Sequence, residues 1–298
     1  MSNRRDRERS HRKSGKPVKG VYILLILSVF LLGIKLAWSS GTSITKFSPQ
    51  LSEQSELYFE QLAPYHNSHS EEFKEVPPKS LNQNQQQIEN KIYFNGSSKD
   101  GKQVALTFDD GPDSIVTPKI LEVLKENHIK ATFFILGEQA EAYPDMVRRI
   151  AEEGHVIGNH SWSHPRFDDL SMNEAMKQVE DTQKVLEDMI GYRPILFRPP
   201  YGELGEDKLD RINQMNLAVV NWSVDTMDWS GVSSKEIMRL VRKELSPGGI
   251  VLQHTANGKD HLSNTIEALK QMIPELKEEG YSFVTVLELL HLPASQPE

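Results

Sequence analysis

From about Lys102 onward, short apolar runs alternate with longer stretches in which apolar residues recur every three or four positions. The short runs are QVALTF (103–108), ATFFIL (131–136), HVIGNH (155–160), ILFRPP (195–200), LAVVNWSV (217–224), GIVLQH (249–254) and SFVTVL (282–287). Their length and their content of β-branched and aromatic residues predict strands, most of them covered on both faces. Segments such as TPKILEVLKENH, PDMVRRIAEEG, NEAMKQVEDTQKVLEDMIG and SNTIEALKQMIPELKEEG lie between them and predict amphipathic helices, several of them stopped by glycine. Alternating strands and helices imply parallel β/α units. The seven runs predict an α/β fold, a distorted and incomplete (β/α)7 barrel, over residues 101–290 with a short tail at 291–298. Functional groups in such a fold come from the carboxyl ends of the strands.

The pattern before residue 101 is different. KIYFNGSSKDGKQVALTF reads as two strands joined by a glycine-containing turn. Residues 40–100 are otherwise amide-rich and polar without a persistent apolar face, which marks a flexible spacer, with a short helix possible over Ser52–Leu62. Val21–Trp38 is apolar except for Lys35. As a helix it would reach about 27 Å, close to the hydrocarbon thickness of a bilayer. Residues 20–39 are therefore read as a membrane anchor, with Lys35 and Trp38 at the outer interface. A signal peptide cleaved near Ala37-Trp38-Ser39 is the alternative. Residues 1–19 carry eight basic and two acidic side chains, a net +6 that leaves −14 on the rest of a chain whose overall charge is −8. A basic head before an apolar segment predicts a cytoplasmic N-terminus, with the remainder outside the cytoplasm. The acidic body excludes nucleic acid as the main partner. The absence of cysteine excludes disulfides, thiolate metal sites and a cysteine nucleophile. No protein partner is inferred.

Ionisable residues follow the apolar runs. Asp109 and Asp110 end the first run, His160 and His164 follow HVIGN, and Arg198 follows ILF. Asp225, Asp228 and Trp229 follow VVNWSV, and His254 follows IVLQ. Two histidines four apart, placed on a helical turn, project to one side. With one carboxylate they make a three-ligand set for a divalent ion. The second carboxylate is then free to act as a general base. Adjacent strand residues point in opposite directions, which separates the two aspartates. Arg198 is read either as the holder of a carboxylate or as one half of a surface ion pair, and His254 either as a general acid, with Asp225 able to pair with it, or as a satisfied core histidine. Asp228 receives no role, and the other histidines, His155 among them, are read as structural or incidental. Asn-x-Ser sequences at Asn95, Asn159 and Asn221 match a glycosylation pattern; the last two fall in barrel segments and are taken as chance.

TFDDGP, HSWSH, RPPYG, DTMDW and LQH follow one another in this order between residues 107 and 254. Together they resemble the five motifs of the carbohydrate esterase family 4 polysaccharide deacetylases, the NodB-homology domain. The resemblance covers about residues 100–290 and implies metal-dependent removal of acetyl groups from acetylated sugars. It implies Asp109 as base, Asp110, His160 and His164 as metal ligands, and Arg198 as the group that positions Asp109. Further, it implies the Tyr201 amide at the oxyanion, His254 as acid tuned by Asp225, and Leu252 and Trp229 lining the pocket. Zinc is the expected metal, with cobalt, manganese or nickel as alternatives. The expected substrate is N-acetylglucosamine in cell-wall peptidoglycan; chitin oligomers, acetylated xylan and a non-catalytic carbohydrate-binding role remain open.

Overall fold

The computed structural model describes residues 88–256 and 262–295. The chain divides into two units, Met1–Lys79 and Ser80–Glu298, and every described residue belongs to the second. The basic head, the apolar segment 20–39, the helix expected at Ser52–Leu62 and most of the spacer lie outside the described residues. Among the described residues no helix is long and apolar enough to cross a membrane.

Strands β1 (Ile92–Tyr93), β2 (Gln103–Asp109), β3 (Thr132–Ile135), β4 (Val156–Asn159), β5 (Leu196–Phe197), β6 (Ala218–Val220), β7 (Val224–Asp225), β8 (Gly249–His254) and β9 (Ser282–Phe283) form one sheet. Their order is β1-β6-β5-β4-β3-β2-β8-β7, with β9 pairing the start of β2, and every ladder is parallel. Only Asn221, Trp222 and Ser223 separate β6 from β7, yet the two lie near opposite ends of this order. Three residues reach across only if the sheet curls until its ends approach. The Asn221 amide bonds the Tyr93 carbonyl (2.7 Å) and the Ser223 amide bonds that of Ile250 (3.0 Å), so the backbone changes partner within this link. An antiparallel bridge between Asn95 and Gly249 spans the same region. The result is a distorted, curled parallel sheet, a half-barrel with helices on its outside.

Three expected elements differ. LAVVNWSV is two strands because its middle residues switch from β1 to β8. The two strands in KIYFNGSSKDGKQVALTF do not pair with each other, since β1 pairs with β6. The segment between them instead forms a short 3-10 turn (Ser98–Asp100), with the Ser97 side chain accepting from the Lys99 amide. SFVTVL keeps only Ser282–Phe283 as strand. Thr285 and Glu288 then cap each other's backbone and start helix α8 (Val286–Leu289).

Alternation along β2 positions the chemistry. Val104, Leu106 and Phe108 join the larger apolar cluster with α1 (Val116–Glu126) and the later helix Ser263–Glu278. Thr107 and Asp109 point to the opposite, inner face. The other helices are α2 (Gly137–Ala142), α3 (Pro144–Glu152), α4 (Met172–Ile190), α5 (Glu206–Gln214) and α6 (Ser234–Glu244), which makes Ser263–Glu278 α7. In α4 the buried positions Ala175, Met176, Val179, Thr182, Gln183 and Leu186 recur at helical spacing and press one face onto the sheet. A reciprocal Ser171–Glu174 cap starts this helix and Gly191, left-handed at φ 77°, ends it.

Candidate active site

Strand β2 ends at Asp109 because Asp110 turns left-handed (φ 70°). That turn changes the expected geometry of the pair. The two carboxylates do not point apart: Asp109 Oδ2 lies 3.7 Å and Asp110 Oδ1 3.4 Å from the same His160 Nε2. Arg198 distinguishes them. Its Nη1 donates to Asp109 Oδ1 (2.7 Å) and to Thr107 Oγ1 (2.8 Å), its Nε to the Val220 carbonyl (3.1 Å) and its Nη2 to that of Asn221 (3.0 Å). The guanidinium is fully buried and packs 4.0 Å from the Phe134 ring centroid. A buried charge persists only when paired and hydrogen-bonded in this way. Asp109 is thereby oriented and its charge compensated without a metal.

Asp110 has no such partner. Its Oδ1 is buried and accepts no hydrogen bond. It faces His160 Nε2 and, at 3.5 Å, His164 Nε2. One ligand atom from each of the three residues lies within 4.8 Å of the others. Burial alone would raise the Asp110 pKa, but the neighbouring His160, with His254 and His164, brings it below the usual carboxylate value. An orphaned carboxylate oxygen against two imidazole nitrogens is a donor set suited to a divalent cation. His160 Nδ1 meets the Arg198 carbonyl at 2.8 Å, the outer partner that fixes ring orientation in a histidine ligand. The expected helical turn is absent. Residues 160–164 form a loop in which Ser161 (φ 72°) and His164 (φ 59°) are left-handed, and this brings the second ring beside the first.

On the neighbouring strand His254 is the register partner of Asp109. Its Nδ1 lies 2.7 Å from Asp228 Oδ1, and Asp228 Oδ2 accepts from the His254 amide (2.9 Å) and from Thr265 Oγ1 (2.8 Å). Asp225, the expected partner, instead accepts from the Met227 amide (2.8 Å). The reason is local. Left-handed Met227 (φ 58°) opens a 3-10 turn at Asp228–Ser230 that swings Asp228 inward, where it is fully buried. The spacing in DTMDW offers two carboxylates, and no periodicity in sequence selects the second. Burial lowers the His254 pKa, but the charge and hydrogen bond of Asp228, with Asp110 and Asp109, outweigh it and push the value up to about 9.

Tyr201 is left-handed (φ 61°) in the short turn Pro200–Gly202. The turn's hydrogen bonds are donated by Gly202 and Glu203, and neither uses the Tyr201 N–H. Its ring is 52% exposed and lies 4.6 Å from the His164 ring. Asn221 Nδ2 holds the Gly202 carbonyl (2.9 Å). Trp229 is 48% exposed beside Asp228, whereas Leu252 is buried on β8. Asn159 and Asn221 are both buried, which removes them as glycan acceptors. His155 is buried and its Nδ1 accepts from the Ala131 amide (3.1 Å), a structural histidine.

A profile of the family described as Polysaccharide deacetylase matches residues 96–220. The chain is 49% identical over 184 residues to a peptidoglycan-N-acetylglucosamine deacetylase of Bacillus cereus, covering 62% of this chain and 66% of that protein. It is 41% identical over 192 residues to the peptidoglycan-N-acetylglucosamine deacetylase PgdA of Listeria monocytogenes, covering 64% of this chain and 40% of that one. The chain thus spans less than two thirds of these curated relatives. Among solved structures, the Bc1960 peptidoglycan N-acetylglucosamine deacetylase superposes with a TM-score of 0.67 at 44% identity, over 69% of this chain and 95% of that one.

Proposed function

The chain belongs to the carbohydrate esterase family 4 polysaccharide deacetylases, and from that premise we propose that it hydrolyses the acetamide of N-acetylglucosamine residues in peptidoglycan. One observation carries the reading. An Asp-His-His ligand set, an Arg198-held carboxylate and an Asp228-held histidine meet at the carboxyl ends of β4, β2 and β8.

Asp110, His160 and His164 would hold a divalent cation, zinc by the chemistry of the donors. Such an ion, when bound, supplies Lewis-acid polarisation of the acetyl carbonyl and lowers the pKa of water. Asp109 takes a proton from the attacking water, whose oxygen adds to the acetyl carbon. The Tyr201 N–H donates to the oxyanion that develops on the former carbonyl oxygen. Protonated His254 gives its proton to the amide nitrogen as the C–N bond breaks, leaving acetate and a free amino sugar. Asp228, at His254 Nδ1, fixes the ring and stabilises the imidazolium, with Asp225 a more distant charge. Trp229 and Tyr201 offer exposed rings to sugar faces, and Leu252 an apolar wall.

The likeness to peptidoglycan-N-acetylglucosamine deacetylases supports peptidoglycan over chitin oligomers or acetylated xylan. The finer architecture belongs to the same proposal: a distorted (β/α)7 barrel over 101–290, a spacer over 40–100 and a membrane anchor over 20–39 behind a cytoplasmic head. The apolar run Val21–Trp38 supports the anchor and an extracytoplasmic catalytic domain. The test is acetate release by the full-length chain with zinc, from peptidoglycan and from N-acetylglucosamine oligomers. Acetate from peptidoglycan, abolished by a chelator, is the expected result. No acetate from any acetylated glycan would exclude the enzyme.

A further inference from the structure

We infer that Gln178 is a positioning residue for the cation site, an inference that rests on reading Asp110, His160 and His164 as metal ligands. The loop that carries both histidines is unfavourable on its own. Two of its residues, Ser161 (φ 72°) and His164 (φ 59°), are left-handed with side chains attached, which is unfavourable for residues other than glycine. Something outside the loop must therefore fix its shape.

The carbonyls of the loop are held from one side. The amides of Gly137 and Glu138 at the start of α2 bond the carbonyls of Ser161 (3.0 Å) and Trp162 (3.1 Å). Its amides are held from the other side by α4. Asn159 Oδ1 accepts from the Ser161 amide (2.8 Å), while Asn159 Nδ2 donates to Gln183 Oε1 (3.1 Å) and to the Val179 carbonyl (2.9 Å). That anchors the first residues of the loop. The amides of its middle residues are held by Gln178: one oxygen, Oε1, accepts from the amides of Trp162 (2.9 Å) and Ser163 (3.0 Å). Gln178 Nε2 also reaches Ser163 Oγ (3.2 Å). These two amides lie between the ligands in sequence, so their position sets where His164 falls relative to His160. Gln178 belongs to a 19-residue helix, capped at both ends and packed along one face, and it transmits that rigidity to the loop. Its carboxamide is suited to this task, since one acceptor and one donor face an amide pair and a hydroxyl.

The test compares Gln178→Met, which keeps the length but removes the acceptor, Gln178→Ser, which is too short to reach, and Gln178→Glu, which keeps the acceptor. Zinc affinity of the full-length chain in mild detergent is measured by chelator competition, beside the thermal midpoint of the metal-free protein. Met and Ser variants should lose about 10-fold in zinc affinity, and Gln178→Glu should stay within about three-fold of wild type. The metal-free midpoints of all three should match the wild type. Met and Ser variants that bind zinc as tightly as wild type would overturn the inference, as would a Glu variant that loses as much as Met. Wild-type protein that binds no zinc would overturn the metal site and this inference together. Wild-type binding with unaffected variants would overturn the role of Gln178 alone.

Discussion

At the scale of single residues, the site separates groups that look alike. Asp109 and Asp110 are neighbours in sequence and both face His160, but only Asp109 has a buried cation of its own. Asp109→Asn should therefore retain zinc while turnover falls on the order of 10²- to 10⁴-fold, the usual share of a general base. His160→Ala should lose both zinc and turnover. Zinc titration of each variant beside its acetate release decides this, and loss of metal from Asp109→Asn would refute the division of labour. Asp225 and Asp228 are a second such pair. The His254 pKa of about 9 rests first on Asp228 among the charges that raise it. Replacing Asp228 by Asn removes that support, so the imidazolium loses its proton at lower pH. The alkaline limb of the pH–rate profile should move down, and turnover should fall by roughly 10- to 100-fold, as for other outer partners of catalytic histidines. Asp225→Asn should move the limb less, because its carboxylate is engaged with the Met227 amide.

At the scale of elements, close approach and buried ring nitrogens set the demands. A Cβ on Gly137 would overlap the Trp162 ring and come within 2.7 Å of Thr182 Oγ1. Gly137→Ala should destabilise by about 1–3 kcal/mol and displace the histidine loop, detectable as a lower urea midpoint together with weaker zinc binding. His155 joins α3 to β4 as a neutral ring, its pKa lowered by burial to about 4. The unfolded chain titrates near 6.5, so the contribution is complete above that value and is lost as pH falls towards 4. A slope in stability between these limits, worth up to about 3 kcal/mol, should disappear in a His155→Gln variant followed by urea denaturation against pH.

At the scale of the molecule, the three ligands come from loops after β2 and β4, and the acid and base from β8 and β2. Zinc bound only by the folded form should raise the thermal midpoint. At a hundred times its dissociation constant the gain is about 2.7 kcal/mol. A chelator should reverse the shift, and a His160→Ala/His164→Ala variant should show none; calorimetry with and without zinc is the measurement. Much of this arrangement could be read along the chain. Apolar runs and helical spacing mark strands and helices because burial imposes its period on the sequence, and parallel β/α units bring their strand ends to one rim. Hence Asp109, Asp110, His160, His164, Arg198 and His254 were all visible as candidates. What tertiary structure decided was partnership. The split of LAVVNWSV between β6 and β7 depends on strands far away in sequence. The choice of Asp228 over Asp225, the shared His160 of the two aspartates and the clamp from Gln178 depend on left-handed residues and on a helix packed alongside. Hydrophobic periodicity records which face of a segment is buried. It carries no record of which polar groups meet once the chain has closed on itself.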